Sequence, residues 1–112
     1  YTFILEGSRQ LPRRVLHPKP KTIGIRVPDH PLSRALLEAL GEPLLVSTLL
    51  LPGQELPLTD PDDIRRQLHH QVELAIESGH CGTGVTTVVD LTEPPARLIR
   101  AGCGALAPLG LE

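Results

Sequence analysis

The stretch VTTVVDL, residues 85–91, opens with five consecutive β-branched residues and predicts a β-strand. The glycine-rich stretch SGHCGTG (78–84) in front of it predicts a turn, and PPARLIR (94–100) behind it predicts a last, edge strand. Further upstream, QVELAIE (71–77) predicts another strand. This end of the chain is therefore expected to contribute several neighbouring strands to a sheet.

The rest of the chain adds helices to these strands. PDHPLSRALLEALG (28–41) is the clearest predicted helix, with an apolar stripe that ends at Gly41. TDPDDIRRQLHH (59–70) predicts a second helix, capped by Thr59 or Asp60. The other predicted segments are the strand TFILE (2–6), the helical turn PRRVL (12–16), the basic loop HPKPK (17–21), the strand TIGIRV (22–27), the central strand PLLVSTLLL (43–51) and a tail at 101–112. This order predicts an α/β fold with a partly parallel core and antiparallel additions.

The composition limits the kind of protein this is. A chain of 112 residues makes one domain with a modest core, and no apolar run reaches membrane-spanning length. Tyr1 and Phe3 are the only aromatic residues, which argues against stacking of single-stranded bases. Cys81 and Cys103 are too few for a disulfide scaffold and favour free thiols in a reducing compartment, so we expect a cytoplasmic protein. The chain starts without Met and already in strand-like alternation, so we expect the carboxy-terminal part of a longer protein.

Charge is distributed unevenly along the chain. Residues 1–26 carry six basic residues and one acidic residue, whereas residues 27–112 carry five basic and twelve acidic residues. A basic amino-terminal segment beside an acidic remainder indicates contact with phosphates on one side of the molecule. A solvated surface on which basic residues happen to cluster explains the pattern equally well.

Metal binding and nucleophilic catalysis find little support in the sequence. The spacing of His69, His70, His80 and Cys81 matches no zinc pattern, so we expect no metal site. No G-x-S-x-G stretch is present, and neither cysteine has flanking cations that would activate its thiol.

Phosphate binding is better supported. Arg26 lies in the otherwise apolar strand TIGIRV, where a cation needs a carboxylate or a bound anion. Arg100 ends the strand PPARLIR and is a similar case, although an arginine on an edge strand is commonly solvated. SGHCGTG lacks the ending of a Walker loop, so it is either an anion-binding nest of backbone N–H groups or a simple hairpin turn.

Two adjacent hydroxyls, Ser47 and Thr48, interrupt the apolar segment 43–51. On a strand, neighbouring side chains point to opposite faces, so at most one of the two can face a given cleft. A buried hydroxyl needs a hydrogen-bond partner. These side chains therefore either bond neighbouring backbone or line a site near the end of the strand.

Several stretches together resemble the carboxy-terminal part of the YrdC-like domain family, whose best-known members are threonylcarbamoyl-AMP synthases. The resemblance runs from Tyr1 to about Pro108. It rests on YTFIL, TIGIRVPDHPLSRALLEALGEPL, STLLLPG, VELAIESGHCG, TTVVDLT and RLIRAG, of which RVPDHP and TTVVDLT are specific in combination. It implies an open, twisted, mixed α/β sheet with a concave, positively charged cleft.

The resemblance also implies an activity. Family enzymes convert ATP, threonine and bicarbonate to threonylcarbamoyl-AMP and pyrophosphate, and the product serves the modification of an adenosine in transfer RNA. ATP is then a substrate, alone or with Mg²⁺, and no tightly bound cofactor is expected. Members are also described as binders of double-stranded RNA, so transfer RNA or duplex RNA is the expected partner.

Site residues follow from the matching motifs. Thr2 ends the family's Pro-Gly-Pro-x-Thr motif on the substrate side. The implied nucleotide- and phosphate-binding residues are Arg26, Ser47, Thr48, Thr86 and Arg100. The basic residues expected to contact RNA are Arg13, Arg14, Lys19 and Lys21.

The sequence departs from the family pattern in places that bear on activity. Leu50 replaces the asparagine of the Ser-x-Asn pair and Pro52 replaces the second serine of the motif. The resulting Ser-Thr-x-x-x-Pro-Gly form resembles the YciO branch. Ala101 replaces a proline. The Lys-x-Arg motif belongs to an amino-terminal half that this chain does not contain, so the chain by itself is expected to be inactive.

Two functions stay open: part of a synthase-like enzyme, or a non-catalytic module that binds nucleotide or duplex RNA. A cut sheet edge beside YTFILEG would in addition favour a homodimer.

Overall fold

The computed structural model describes residues 1–80, 82 and 84–111. The chain divides into two compact units. The first unit contains Tyr1–Ser33 and Gly84–Glu112, and the second contains Arg34–Thr83.

A four-stranded mixed sheet forms the first unit. Its strands are β1 (Thr2–Glu6), β2 (Thr22–Ile25), β3 (Val88–Asp90) and β4 (Arg97–Arg100), in the spatial order β2-β1-β3-β4. The β1 and β3 strands are parallel, whereas β2 and β4 are each antiparallel to their neighbour. The predicted α/β class with a partly parallel core is therefore confirmed, although the predicted strands 22–27 and 85–91 are shorter than expected.

β1 lies inside the sheet, between β2 and β3. The predicted unpaired edge beside YTFILEG is therefore wrong, because the parallel partner of β1 comes from the distant VTTVVDL stretch. The edges of the described sheet are β2 and β4, so the prediction of an edge strand at PPARLIR is confirmed. The argument for a homodimer relied on that unpaired edge and no longer holds. The homodimer itself is not tested and stays a prediction.

The first unit buries one face of β3 and of the two residues directly before it. Thr87 and Val89 are completely inaccessible to solvent, whereas Thr86 and Val88 are half-buried. This alternation follows from strand geometry, since successive side chains point to opposite faces. The hydroxyl of Thr87 therefore lies on the face that carries the core.

Two connections in the first unit have short helical turns. A 3₁₀ turn at Arg13–Val15 begins after Pro12, as the stretch PRRVL predicts. A second 3₁₀ turn at Ala107–Leu109 lies in the segment predicted to be a tail. That prediction is wrong for the described residues, because backbone and side-chain hydrogen bonds fix residues 102–105 to the sheet.

Two helices account for the regular structure of the second unit. Helix α1 spans Pro31–Leu40, its first three residues belonging to the first unit, and α2 spans Pro61–Leu68. The side chain of Asp60 caps α2 by accepting a hydrogen bond from the backbone N–H of Asp62 at 2.9 Å. Pro61 occupies the first turn, where its missing N–H costs nothing.

The strands predicted at 43–51 and 71–77 are absent, although the structure describes every residue of both segments. Leu45 is 82% exposed and Leu74 is 78% exposed. A strand forms only against a partner that satisfies its backbone groups, and apolar composition alone does not provide one. In the second unit these segments therefore stay irregular, with many of their apolar side chains facing solvent.

No helix among the described residues is long and apolar enough to cross a membrane.

The substitution Asp60→Ala should destabilise the second unit by about 1 kcal/mol, because it removes the acceptor for the N–H of Asp62. Urea unfolding followed by far-ultraviolet circular dichroism measures the effect. Thr59→Ala is the matched control, since Thr59 is the alternative cap in the sequence but does not cap the helix. Equal losses in the two variants would contradict the assignment of the cap.

Candidate anion-binding site

Four of the predicted site residues lie at one end of the sheet. At this end β1 and β3 begin and β2 and β4 finish. Thr2 pairs with Val88, which in turn pairs with Arg100. Thr86 precedes Val88 by two residues, and Arg26 directly follows Ile25, the last residue of β2. The register of the sheet thus places residues from the beginning and the end of the chain side by side.

Three of these residues form a hydrogen-bonded cluster. The hydroxyl oxygens of Thr2 and Thr86 lie 2.8 Å apart. Arg100 donates to the backbone carbonyl of Thr86 through Nε at 3.2 Å and through Nη2 at 2.9 Å. Its Nη2 also donates to the Thr86 hydroxyl at 3.2 Å. We call these side chains the Thr2–Thr86–Arg100 cluster.

The charge of Arg100 has no acidic counterpart in the part of the chain that the structure describes. A guanidinium stays ionised at all ordinary pH values and carries five N–H donors in a planar fork. The hydrogen bonds to Thr86 use Nε and Nη2, which leaves the donors on Nη1 for another acceptor. The exposed Arg100 side chain can therefore receive an anionic oxygen.

The two hydroxyls extend this donor set. Because the Thr86 oxygen accepts from Arg100, its proton can be donated to the Thr2 oxygen. The proton of Thr2 is then free to donate to a ligand, and the positive guanidinium at the other end strengthens the chain of hydrogen bonds. In this arrangement the cluster offers several N–H and O–H donors, as a phosphate or carboxylate requires.

Arg26 differs from what its sequence context indicates. The strand ends one residue before it, and α1 begins only at Pro31. Its side chain is exposed and forms no ion pair within the described residues. The prediction that Arg26 lies inside an apolar strand and needs an anion for that reason is wrong, because solvent reaches the guanidinium. Its role in phosphate binding stays a prediction that rests on its position at the sheet end.

Ser47 and Thr48 belong to the second unit, and both are exposed. The Ser47 hydroxyl donates to the Thr48 carbonyl at 3.4 Å, and the same carbonyl accepts the N–H of Leu50 at 2.9 Å. Of the two roles open for these hydroxyls, the structure shows local backbone bonding for Ser47. Their part in nucleotide binding stays a prediction.

The anion nest considered in SGHCGTG includes Cys81 and Thr83, which lie outside the described residues.

The basic residues predicted to contact RNA are all exposed, and all lie in the connection between β1 and β2. Arg13 and Arg14 form the 3₁₀ turn with Val15, and Lys19 and Lys21 follow it. The connection is held to the sheet by backbone hydrogen bonds from Gly7 to the carbonyl of Lys21 at 3.0 Å and from His17 to that of Thr22 at 2.9 Å. None of the four cations pairs with an acid among the described residues.

Asp90 and Arg97 join β3 to β4 at the other end of these two strands. The Asp90 carboxylate accepts the Thr92 hydroxyl at 2.6 Å, the Thr92 backbone N–H at 2.9 Å and Arg97 Nη2 at 2.8 Å. The hydrogen bonds from Thr92, followed by that from Arg97, lower the pKa of Asp90. Arg97 is thus held by an acid, unlike Arg100 at the opposite end of the same strand.

Sequence reasoning missed Thr87 and the segment that follows β4. The Thr87 hydroxyl donates to the carbonyl of Gly104 at 2.7 Å and accepts the N–H of Gly102 at 3.0 Å. Thr87 is fully buried, although threonine side chains are mostly exposed in folded proteins. Because neighbouring side chains on a strand point to opposite faces, a Thr-Thr pair places one of its two hydroxyls on the inner face. That alternation, together with the Gly-Cys-Gly spacing after β4, is the signal in the sequence.

The comparisons with known proteins agree with this fold. A family model for Sua5, YciO and YrdC proteins, described as telomere recombination, matches residues 1–102. The chain therefore belongs to the Sua5/YciO/YrdC domain family, as the sequence motifs predict.

Within the family, the chain is similar to YciO of Escherichia coli strain K12, a protein described as uncharacterized. The two are 50% identical over 108 residues, which cover 96% of this chain and 52% of YciO. The crystal structure of E. coli YciO matches with a TM-score of 0.90 and covers 97% of this chain and 53% of that one. The chain thus spans about half the length of these relatives, and the predicted likeness to the YciO branch is confirmed.

More distant relatives are named as enzymes. The threonylcarbamoyl-AMP synthase of Pyrococcus abyssi is 30% identical over 102 residues, which cover 90% of this chain and 29% of the enzyme.

Replacing Asp90 with Asn should lower the stability of the first unit in a pH-dependent way. The pKa of Asp90 is lowered in the folded state from its ordinary 3.8, so its ionised form stabilises the fold above that value. The stabilisation is lost as the pH falls through the lower folded pKa. We therefore expect the wild type to exceed the variant in free energy of unfolding from about pH 7 to about pH 5, and the gap to shrink as the pH falls below about 4.

Urea unfolding at a series of pH values measures this gap. Glu93→Gln removes a similar charge from an exposed side chain that forms no ion pair with the described residues, and it is the matched control. A gap for Asp90→Asn that stays constant down to about pH 2 would contradict the role given to the carboxylate.

Proposed function

We propose that the Thr2–Thr86–Arg100 cluster binds the phosphates of ATP as part of a threonylcarbamoyl-AMP synthase-like domain. One observation carries the proposal: Arg100 is oriented by Thr86, yet its charge is not neutralised by any carboxylate among the described residues. An arginine that is fixed but unpaired suits an anionic ligand better than a structural ion pair.

The chemistry of such a synthase explains why this chain would supply only part of the site. Forming an acyl-adenylate from ATP releases pyrophosphate, and charge develops on the phosphate oxygens as the bond to the leaving group breaks. Several cations and hydrogen-bond donors are needed around those oxygens. Among the described residues, Arg100 and Arg26 are the arginines at this end of the sheet. We therefore propose that further cations come from residues that the longer relatives carry.

The relatives support nucleotide binding and synthase chemistry to different degrees. The proteins at 50% identity are uncharacterized YciO proteins, whereas the synthases are about 30% identical. Leu50 stands where the family motif has an asparagine and offers no side-chain hydrogen bond to a nucleotide. We therefore propose nucleotide binding for the chain itself and synthase chemistry only for a domain that also contains the other half.

The substitution Arg100→Gln should weaken ATP binding by about tenfold or more, because it removes a charge-assisted contact to the phosphates. Isothermal titration calorimetry of the 112-residue chain with ATP, with and without Mg²⁺, measures the dissociation constant. The matched control is Arg34→Gln, which removes the same charge from an exposed position of α1. Equal affinities in the wild type and Arg100→Gln would overturn the assignment of the site.

A pyrophosphate-release assay with ATP, threonine and bicarbonate tests the second part of the proposal. The 112-residue chain should release no pyrophosphate above background, even at concentrations at which it binds ATP. Release by this chain alone would show that the cations of one sheet end suffice.

A second candidate function is the binding of duplex RNA without catalysis. The observation in its favour is the group of exposed cations in the connection between β1 and β2, namely Arg13, Arg14, Lys19 and Lys21. Positively charged side chains on a loop can contact the phosphates of an A-form duplex without reading its sequence. The scarcity of aromatic side chains fits this mode better than recognition of single strands.

If this module binds RNA, Arg13→Gln combined with Arg14→Gln should reduce the salt dependence of binding to a duplex RNA or transfer RNA. The slope of log affinity against log salt should become shallower by about 1 for each phosphate that the variant no longer neutralises. Gel-shift titrations at several salt concentrations give the slope. Arg34→Gln, which removes one positive charge from an exposed position of α1, is the control for the effect of each charge lost. Binding that is absent, or that does not respond to salt, would exclude this candidate.

A further inference from the structure

Thr87 is the buried polar residue directly behind the Thr2–Thr86–Arg100 cluster. It is completely inaccessible to solvent. Its hydroxyl donates to the carbonyl of Gly104 at 2.7 Å and accepts the N–H of Gly102 at 3.0 Å, so both its donor and acceptor functions are used. Its backbone carbonyl accepts the N–H of Thr2 at 2.8 Å. One residue therefore links β1, β3 and the segment after β4.

The segment that Thr87 holds lies close against the start of the sheet. A side chain at Gly102 would meet the backbone of Val85 and Thr86, and one at Gly104 would meet the ring of Tyr1. The N–H of Cys103 donates to the carbonyl of Val85 at 2.8 Å, and the Tyr1 hydroxyl donates to the carbonyl of Ala105 at 2.8 Å. We call residues 102–105 the clasp.

We propose that Thr87 is a positioning residue for the anion site. By fixing the clasp, it holds Arg100 in the orientation in which the guanidinium lies on Thr86. This inference rests on the proposed function in one respect: removing the hydroxyl can lower the affinity for ATP only if the cluster binds ATP. Thr87 itself is buried on the inner face of the sheet and does not contact the ligand.

The physical argument follows the chain from the hydroxyl to the guanidinium. Arg100 is the last residue of β4 and lies two residues before Gly102. The two hydrogen bonds of the Thr87 hydroxyl fix the chain directly after Arg100, and Thr86, which accepts from the guanidinium, is the residue directly before Thr87. Holding the backbone at both ends of the contact reduces the number of positions that the long Arg100 side chain can adopt. Without the clasp, Arg100 would point into solvent for more of the time and would have a lower affinity for the anion.

Stability alone does not account for this arrangement. A buried valine at position 87 would continue the apolar face that Val89 occupies and would need no hydrogen-bond partner. A threonine at this position instead requires the polar groups of Gly102 and Gly104 to come to it. The hydroxyl thus helps to fix the clasp. The clasp, together with the pairing of Arg100 with Val88, holds the backbone from which the guanidinium extends.

The test compares Thr87→Val, which keeps the shape and removes the hydroxyl, with Thr87→Ser, which keeps the hydroxyl. Val89→Ala is the matched control, since it truncates the other completely buried side chain of this face and removes none of the hydrogen bonds that hold the clasp. Two quantities are measured on samples shown to be folded by circular dichroism at the working temperature. They are the dissociation constant for ATP and the hydrogen-exchange rate of the Arg100 Nε–H by nuclear magnetic resonance.

We expect Thr87→Val to weaken ATP binding about tenfold and to speed exchange of the Arg100 Nε–H, which is otherwise protected by the carbonyl of Thr86. Thr87→Ser and Val89→Ala should keep both values close to those of the wild type. If Thr87→Val does not fold, Gly102→Ala provides the same test, because its side chain would meet the backbone of Val85 and Thr86 and push the clasp away from the start of the sheet.

The two readouts separate this inference from the proposed function. If the wild type does not bind ATP, the proposed function fails, but faster exchange at Arg100 in Thr87→Val still supports the positioning role. If Arg100→Gln loses affinity while Thr87→Val keeps both affinity and protection, the positioning role is overturned and the site stands. A loss in Val89→Ala equal to that in Thr87→Val would show that general destabilisation explains the effect, and this too would overturn the inference.

Discussion

The parallel pairing of β1 with β3 is the interaction on which the first unit depends. It joins Thr2 to Val88 across most of the chain, and the antiparallel strands β2 and β4 add to its two sides. Parallel strands need a long connection, and closing that connection costs conformational entropy that local interactions cannot offset. The β-branched residues of β3 and the apolar residues of β1 provide the compensating burial, and Val89 is completely buried as a result.

The proposed anion site is a consequence of this pairing. Because β1 and β3 begin at the same end of the sheet, Thr2 and Thr86 meet there, and the antiparallel β4 finishes at the same end with Arg100. Arg97 at the start of β4 is held by Asp90, whereas the charge of Arg100 has no such partner among the described residues. Two arginines on one short strand thus have different surroundings, and the difference identifies the one that is available to a ligand.

The second unit shows how far local preference reaches without tertiary partners. Helix α2 forms where its sequence predicts, because the cap, the proline and the first-turn acids all lie within a few residues of one another. The segments 43–51 and 71–77 have equally clear apolar patterns but no ladder partner in the described part of this unit, and they stay irregular. Helices satisfy their backbone groups internally, whereas strands do not, so the two kinds of prediction differ in how much they depend on the rest of the fold.

The sequence by itself determined the α/β class, the strands around 2–6, 22–25, 88–90 and 97–100, the two helices and the membership of the family, because propensity, capping and motif are local properties. Only the tertiary structure decided that β1 is an inner strand, that Arg26 is exposed and that the supposed tail is a clasp held by Thr87. It also decided which of the candidate site residues touch one another, since strand register brings Thr2, Thr86 and Arg100 to the same end of the sheet. Register depends on pairing between distant segments, and the residues of a single segment do not specify it.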